Sequence, residues 1–164
     1  MEKRIERRKH KRFQAIDGLC AVLSSGIIKP DQIRSMSMAE IVLKVLKSKP
    51  DKMGQIIDIS KGGLAFWYIH KGKNSNESFK IAITLPAGAF YSDKMKFETI
   101  SDFEIINGDQ LNTFTIRRQG LKFKELTFKE TSLLDRVIRK YTLGEVRSNN
   151  FFNNWFQSSL ASSF

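Results

Sequence analysis

The stretch GQIIDISKGGLAFWYI, residues 54–69, combines a β-branched run, a turn sequence and a second apolar run. β-branched side chains favour pleated strands, and the Ser-Lys-Gly-Gly segment at 60–63 supplies the small residues that tight turns use. Beyond the turn, Leu64, Phe66 and Tyr68 alternate with Ala65 and Trp67, as in a strand with one buried face. The stretch therefore predicts two antiparallel strands joined by a tight turn.

Further short apolar segments lie on both sides of this hairpin, separated by clusters of Gly, Asn, Asp and Pro. They are FQAIDGLCAVLSSG (13–26), ESFKIAITLP (77–86), KMKFETISDFEII (94–106) and LNTFTIRRQGLKFKEL (111–126). Several strands at a spacing of roughly 8–12 residues indicate a small barrel or sandwich. We assign residues 13–128 to this β domain.

Two segments have helical signals instead. Thr127 and Glu130 have capping-box spacing, and apolar residues follow at helical intervals, with Gly144 as a stop signal (Leu133, Leu134, Val137, Ile138 and Tyr141). This pattern predicts a C-terminal helix over 129–143. Ser37 and Glu40 repeat the capping-box spacing inside 27–50, which we interpret as an insertion with a short helix. The Asn/Ser-rich segment 144–164 is expected to be disordered.

Positive charge is concentrated at the N-terminus. The chain has 28 Lys and Arg against 17 Asp and Glu, a net charge of +11. Residues 1–12, which overlap the stretch ERRKHKRF at 6–13, hold seven of these cations and two Glu, so this arm alone carries +5. A cationic arm attracts phosphate-bearing partners, but a basic terminus is also a common solvated, flexible segment.

Signatures of catalysis and metal binding are missing from the sequence. His10 and His70 both have lysine neighbours, which disfavours a general base or a metal ligand, and Cys20 lies in an apolar run typical of an inert thiol. No phosphate-binding Gly-rich loop or metalloprotease motif is present. We therefore expect a binding protein, not an enzyme, without a cofactor or metal.

The compartment can also be inferred from the sequence. A single cysteine cannot form an internal disulfide, and no apolar run approaches the ~20 residues of a membrane span. No segment of signal-peptide type follows the N-terminal charges. A cytoplasmic protein without membrane insertion is expected.

The segment DISKGG, residues 58–63, carries groups suited to ligand binding. Asp58 can accept from N–H donors, Ser60 can bond a phosphate oxygen, and Gly62 and Gly63 allow the backbone to approach a ligand. The same residues also build ordinary hairpin turns. By itself this segment leaves both interpretations open.

Taken in order, the two features form a more specific pattern. R-x-x-x-R at Arg8 and Arg12, followed after a strand by [D/N]-x-S-x-x-G at Asp58, Ser60 and Gly63, resembles the PilZ domain, the bacterial receptor module for cyclic di-GMP. The resemblance spans roughly residues 5–143. It implies a mainly β fold: a six-stranded antiparallel barrel with a C-terminal helix, and an N-terminal arm that folds over the ligand.

The resemblance also implies roles for individual residues. Arg8 and Arg12 would clamp the ligand, Asp58 would accept from the N1 and N2 hydrogens of guanine, and Ser60 with the Gly62–Gly63 turn would meet the sugar-phosphate edge. An arginine directly ahead of the motif, here Arg7, resembles the pattern of domains that bind an intercalated pair of ligand molecules. The ordered arm would then present a changed surface to an unidentified downstream protein.

Two other functions remain open at this stage. One is a small barrel that binds single-stranded nucleic acid through the basic arm and strand aromatics such as Trp67 and Phe97. We rank this function below that of a cyclic di-GMP receptor. The other is a PilZ fold without a ligand that serves as a protein-interaction module. Because the motif positions are intact, we rank this ligand-free module below the receptor as well.

Overall fold

The computed structural model describes residues 9–24, 37, 40, 47, 51–70, 80–86, 90–106 and 115–146. Their regular elements are eight strands and one helix. The strands are β1 (Phe13–Ala15), β2 (Cys20–Ser24), β3 (Lys52–Ser60), β4 (Gly63–His70), β5 (Lys80–Thr84), β6 (Phe90–Ile106), β7 (Thr115–Lys124) and β8 (Thr142–Glu145), and the helix is α1 (Phe128–Tyr141).

Six of the strands close into an antiparallel barrel. The order is β2-β5-β6-β7-β4-β3, and β2 pairs back onto β3 to complete the ring. The two halves of β3 have different partners, because Lys52–Gln55 pair with β2 whereas Asp58 and Ile59 pair with β1. β8 pairs with the other edge of β1. The mainly β fold and six-stranded barrel expected from the sequence are confirmed, and β1 and β8 extend the barrel as a short ribbon.

Alternation along the predicted hairpin places its large apolar side chains in the barrel interior. The core includes Ile56, Ile59, Leu64, Phe66, Tyr68, Ile81, Ile83, Met95 and Leu121, each at most 4% exposed. Ile56 and Ile59 are three residues apart, which strict alternation would put on opposite faces. A register shift between Ile56 and Asp58 resolves this conflict, and it leaves Asp58 opposite Ala65 and outside the core cluster.

Helix α1 begins at the capping box that the sequence predicts. The backbone N–H of Glu130 donates to Thr127 Oγ1 at 3.2 Å, and the N–H of Thr127 donates to Glu130 Oε2 at 2.6 Å. Leu133, Leu134 and Val137 are buried, and the helix contacts β1, β3 and β8. An ion pair of 2.9 Å between Asp135 and Lys61 also joins α1 to the β3–β4 turn.

The end of the helix differs from the prediction. We expected the helix to continue to residue 143 and the chain to be disordered from 144, but α1 ends at Tyr141 and residues 142–145 form β8. Thr142 is extended and pairs with Ala15, so pairing with β1 replaces further helical bonds. Residues 147–164 of the predicted disordered segment lie outside the described residues.

The insertion at 27–50 is described at three positions. Glu40 and Lys47 have helical backbone. The N–H of Ser37 donates to Glu40 Oε2 at 2.7 Å, and the N–H of Glu40 donates to Ser37 Oγ at 3.5 Å, so the predicted capping box is present. The rest of the insertion lies outside the described residues.

Replacement of the helix cap provides a test of α1 stability. Thr127→Ala removes the side chain that accepts from the Glu130 N–H and should lower the free energy of unfolding by about 1 kcal/mol. Urea denaturation measures this change. Ser132→Ala, at an exposed position inside the same helix, is the matched control and should not destabilise the protein. Equal losses in both variants would contradict a capping role.

Candidate functional site

The β3–β4 turn is built around the hydroxyl of Ser60. Ser60 Oγ accepts from the backbone N–H groups of Gly62 and Gly63 and donates to the carbonyl of Gly63, each at 3.1 Å. A hydroxyl has one donor and two acceptor positions, so these three bonds use all of them. Ser60 therefore builds the turn here, which is the structural role that the sequence left open beside phosphate binding.

Both glycines of the turn lie where a side chain would collide. A Cβ on Gly63 would come within 2.1 Å of the Leu121 carbonyl oxygen, because Gly63 of β4 pairs with the neighbouring Lys122 of β7. A Cβ on Gly62 would lie 2.6 Å from Cδ2 of the His10 ring. The glycines thus let the arm and the neighbouring strand approach the turn.

Asp58 lies between two arginines. Its Oδ1 is 3.6 Å from Nη1 of Arg12, and its Oδ2 is 3.5 Å from Nη2 of Arg118. The Asp58 side chain is 9% exposed, whereas that of Arg12 is 41% exposed and that of Arg118 is 19% exposed. The fold therefore brings together Arg12 and Asp58, one residue from each sequence motif.

The last residues of the predicted arm are anchored on the barrel. The carbonyl of Arg12 accepts from the N–H of Val146 at 2.8 Å, which continues the ladder between β1 and β8. Lys11 Nζ lies 3.3 Å from Glu145 Oε2. Lys11 and Arg12, which we assigned to a flexible arm of residues 1–12, thus have contacts with the folded domain, through an ion pair and a backbone hydrogen bond. Arg7 and Arg8, the other predicted arginines of the site, lie outside the described residues.

A cleft of about 590 Å³ lies between the base of the arm and the turn. Its lining includes Lys9, His10 and Arg12 from the arm, residues 60–63 of the turn, and Ile100, Leu121, Lys122, Phe123, Glu125 and Leu126. Among these lining residues, four Lys and Arg side chains face one carboxylate, that of Glu125. Positive charge beside apolar surface suits a ligand that carries both phosphate and a ring system.

Arg118 is the site residue that sequence reasoning missed. Its guanidinium carbon lies 5.7 Å from the ring centroid of Phe103, and burial lowers the pKa of Arg118, with the charge of Asp58 acting in the opposite direction. Alternation predicts that Arg117 and Arg118 point to opposite faces of β7. Which of the two faces Asp58 depends on the register of β3, β4 and β7, which the sequence does not supply.

Arg117 belongs to a second polar cluster on the other face of the sheet. Asp102 accepts from Arg117 Nε at 2.9 Å, Lys52 Nζ at 3.0 Å and the Tyr68 hydroxyl at 2.9 Å. Burial opposes ionisation of Asp102, but the hydrogen bonds from Arg117, Lys52 and Tyr68 outweigh it and lower its pKa. The carboxylate is saturated with donors from β3, β4 and β7, so the cluster is structural.

The described residues offer little support for other chemistry. They contain no group of three or more His, Cys, Asp or Glu side chains placed to hold a metal ion. Burial raises the pKa of the Cys20 thiol, although a hydrogen bond with Thr84 acts in the opposite direction. The raised pKa disfavours the nucleophilic thiolate. In the same part of the chain, no helix has the length and apolar character needed to cross a membrane.

Comparison with known proteins identifies the fold. Neither the family models nor the curated proteins give a match to the sequence. A solved structure described as "PilZ domain with c-di-GMP of YcgR from Escherichia coli" is similar, with a TM-score of 0.53 and 15% identity over 83% of this chain and 92% of that chain. The chain has the PilZ fold. The fold expected from the two motifs is thereby confirmed, and the PilZ barrel places the DISKGG turn beside the base of the arm.

The Asp102 cluster gives a test that depends on pH. Asp102→Asn removes the carboxylate that three donors share, and should lower the free energy of unfolding at pH 7 by about 1–3 kcal/mol. In the folded protein the pKa of Asp102 is lowered from 3.8, so its stabilisation is present above about pH 4 and is lost as the pH falls through the lowered value. Urea denaturation from pH 7 to pH 3 should show the two proteins converging.

Glu98 provides the control for this experiment. It lies 2.7 Å from Lys124 in an ion pair at the barrel surface, where both side chains are well exposed. Glu98→Gln should change the stability little at any pH, because solvent screens such pairs. A constant gap between wild type and Asp102→Asn down to pH 3 would show that the carboxylate charge is not what stabilises the cluster.

Proposed function

We propose that this protein is a receptor for cyclic di-GMP, bound in the cleft between the N-terminal arm and the β3–β4 turn. The observation that carries the proposal is the meeting of Arg12 and Asp58 beside a cationic cleft, on a PilZ barrel. The similar structure, that of YcgR from Escherichia coli, is described as a PilZ domain with c-di-GMP. The comparison supports the fold, and the geometry of Arg12 and Asp58 supports the location of the site.

The chemistry of the cleft suits the two parts of this ligand. Guanidinium groups form paired hydrogen bonds with phosphate or with the O6/N7 edge of guanine, and they also stack on purine rings. A carboxylate such as that of Asp58 can accept from the guanine N1 and N2 hydrogens. The lysines of the cleft add positive potential for the two phosphates, and residues 60–63 of the turn form one wall of the cleft.

The proposed response is ordering of the arm. Residues 1–12 carry a net charge of +5, so a dianionic ligand would neutralise part of their mutual repulsion. Arg8 would join Arg12 on the ligand, and Arg7 would support binding of a stacked, intercalated pair of ligand molecules. The ordered arm would form part of a surface for a downstream protein partner in the bacterial cytoplasm, and no catalytic step is involved.

Single-stranded nucleic acid is a weaker candidate ligand. Of the two aromatics suggested for base stacking, Phe97 is partly buried and packs against the core cluster, which limits its access to a base. Trp67 is half-buried. No specific observation favours a module without a ligand, since Arg12 and Asp58 do come together.

Isothermal titration calorimetry with cyclic di-GMP tests the proposal. Wild type should bind with micromolar or tighter affinity, and Arg8→Ala, Arg12→Ala and Asp58→Ala should each weaken binding about 10- to 100-fold, as expected for charged hydrogen bonds worth about 1.5–3 kcal/mol. Arg7→Ala should reduce the stoichiometry from two ligands to one. Arg136→Ala, at an exposed position on α1, is the matched control and should bind as wild type.

Two results would contradict the proposal. Undiminished binding by the Arg12 and Asp58 variants would remove the site. Steeply salt-dependent binding of any oligonucleotide, with no preference for cyclic di-GMP, would instead support the nucleic-acid alternative.

A further inference from the structure

We infer that Arg118 is the permanent counter-ion of Asp58, whereas Arg12 is an exchangeable partner whose place the guanine edge of the ligand takes. Arg118 is then a positioning residue for guanine recognition. This inference rests on the proposed function, and it names the step by which the ligand enters the site.

The two arginines are held in different ways. Arg118 lies within β7, with Trp67 of β4 and Phe103 of β6 as its direct cross-strand neighbours. Its guanidinium also faces the Phe103 ring, and its side chain is 19% exposed. Withdrawal of Arg118 from Asp58 would expose this packed side chain and break the contact with Phe103. Arg118 is therefore fixed by the barrel itself.

Arg12 is held mainly by its backbone. Arg12 precedes β1, and its carbonyl oxygen, not its side chain, accepts from the N–H of Val146. The side chain is 41% exposed and lines the cleft. It can therefore rotate from Asp58 towards a ligand in the cleft without disturbing the ladder between β1 and β8.

Guanine can replace Arg12 on chemical grounds. The N1–H and N2–H groups of guanine form a planar pair of donors on one carbon, as the guanidinium N–H groups do. A carboxylate that accepts from the one can accept from the other. The exchange would free the Arg12 fork for a phosphate or for the O6/N7 edge of guanine.

A second arginine is needed because the exchange removes a positive charge from the surroundings of Asp58. Guanine is neutral, so exchange of Arg12 for guanine removes one positive charge from Asp58, whose side chain is 9% exposed. A carboxylate buried to this extent is costly without a counter-ion. Arg118 remains at 3.5 Å and supplies that charge before and after the exchange.

Direct contact between Arg118 and the ligand is less consistent with the geometry. Arg12 is among the residues that line the cleft, whereas Arg118 and Asp58 lie outside its lining. Movement of Arg12 opens the way to Asp58 first. Arg118 contacts the other oxygen of the Asp58 carboxylate, Oδ2, and not the oxygen that faces Arg12.

The test is a mutant cycle between Arg118 and Asp58, with cyclic di-GMP as the probe in calorimetry. Arg118→Met should weaken binding at least 10-fold, and Arg118→Lys, which restores the charge, should recover most of the affinity. In the Asp58→Asn background, Arg118→Met should change the remaining affinity less than 2-fold. Circular dichroism of each variant confirms folding, and if Arg118→Met does not fold, Arg118→Lys is compared in the two backgrounds.

A readout on the free protein accompanies the cycle. Arg118→Met should lower the Tm more than Arg12→Met does, and the difference should shrink in the Asp58→Asn background, where the loss of the Phe103 contact remains. A similar loss of affinity on Arg118 substitution in both backgrounds would overturn the inference, because Arg118 would then act independently of Asp58. Wild-type affinity in Arg118→Met would overturn it as well. Failure of the wild-type protein to bind cyclic di-GMP would instead overturn the proposed function.

Discussion

The register shift in β3 is the constraint on which the site depends. β3 supplies the core with Ile56 and Ile59 and also carries Asp58 between them, so its side chains must serve two environments within four residues. Without the shift, Ile56 and Asp58 would share a face and either the core would lose Ile56 or the carboxylate would enter it. The extra residue lets apolar burial fix the barrel while the carboxylate faces the arm. The free energy of core packing thus holds the side chain of Asp58 in the candidate site.

The ribbon of β1 and β8 joins the two ends of the described chain at this site. Pairing of β8 with β1 ends α1 at Tyr141, and the next bond in the ladder, from Val146 to the Arg12 carbonyl, anchors the base of the arm. Lys61 of the turn reaches Asp135 of α1 from the other side. The arm, the turn and the helix are therefore linked by direct contacts, which hold the backbone of Arg12 and leave its side chain free to rotate.

The sequence predicted those features that depend on local patterns. Strand alternation, the capping boxes at Thr127 and Ser37, and the glycine turn all arise from residues within a few positions of one another. β8 was not predicted, because Gly144 resembles a helix stop and because the pairing of β8 with β1 joins residues far apart in the chain. Arg118 was missed for the same reason: its contact with Asp58 is set by the register of three strands. Long-range register, not local propensity, determines these features.

Adjacent arginines on β7 belong to a structural cluster on one face of the sheet and to the candidate site on the other. Arg117 bonds Asp102 on the inner face at 2.9 Å, while Arg118 lies 3.5 Å from Asp58 on the outer face. The shorter distance is that of a strong charge-assisted hydrogen bond, and Lys52 and Tyr68 bind the same Asp102 carboxylate at comparable range. The contact of Arg12 with Asp58 is longer, at 3.6 Å, and the Arg12 side chain is 41% exposed, so this ion pair is weaker and easier to exchange. The carboxylate of Asp102 on the inner face thus stabilises the barrel, whereas the longer ion pair between Asp58 and Arg12 on the outer face is the one that the proposed ligand would replace.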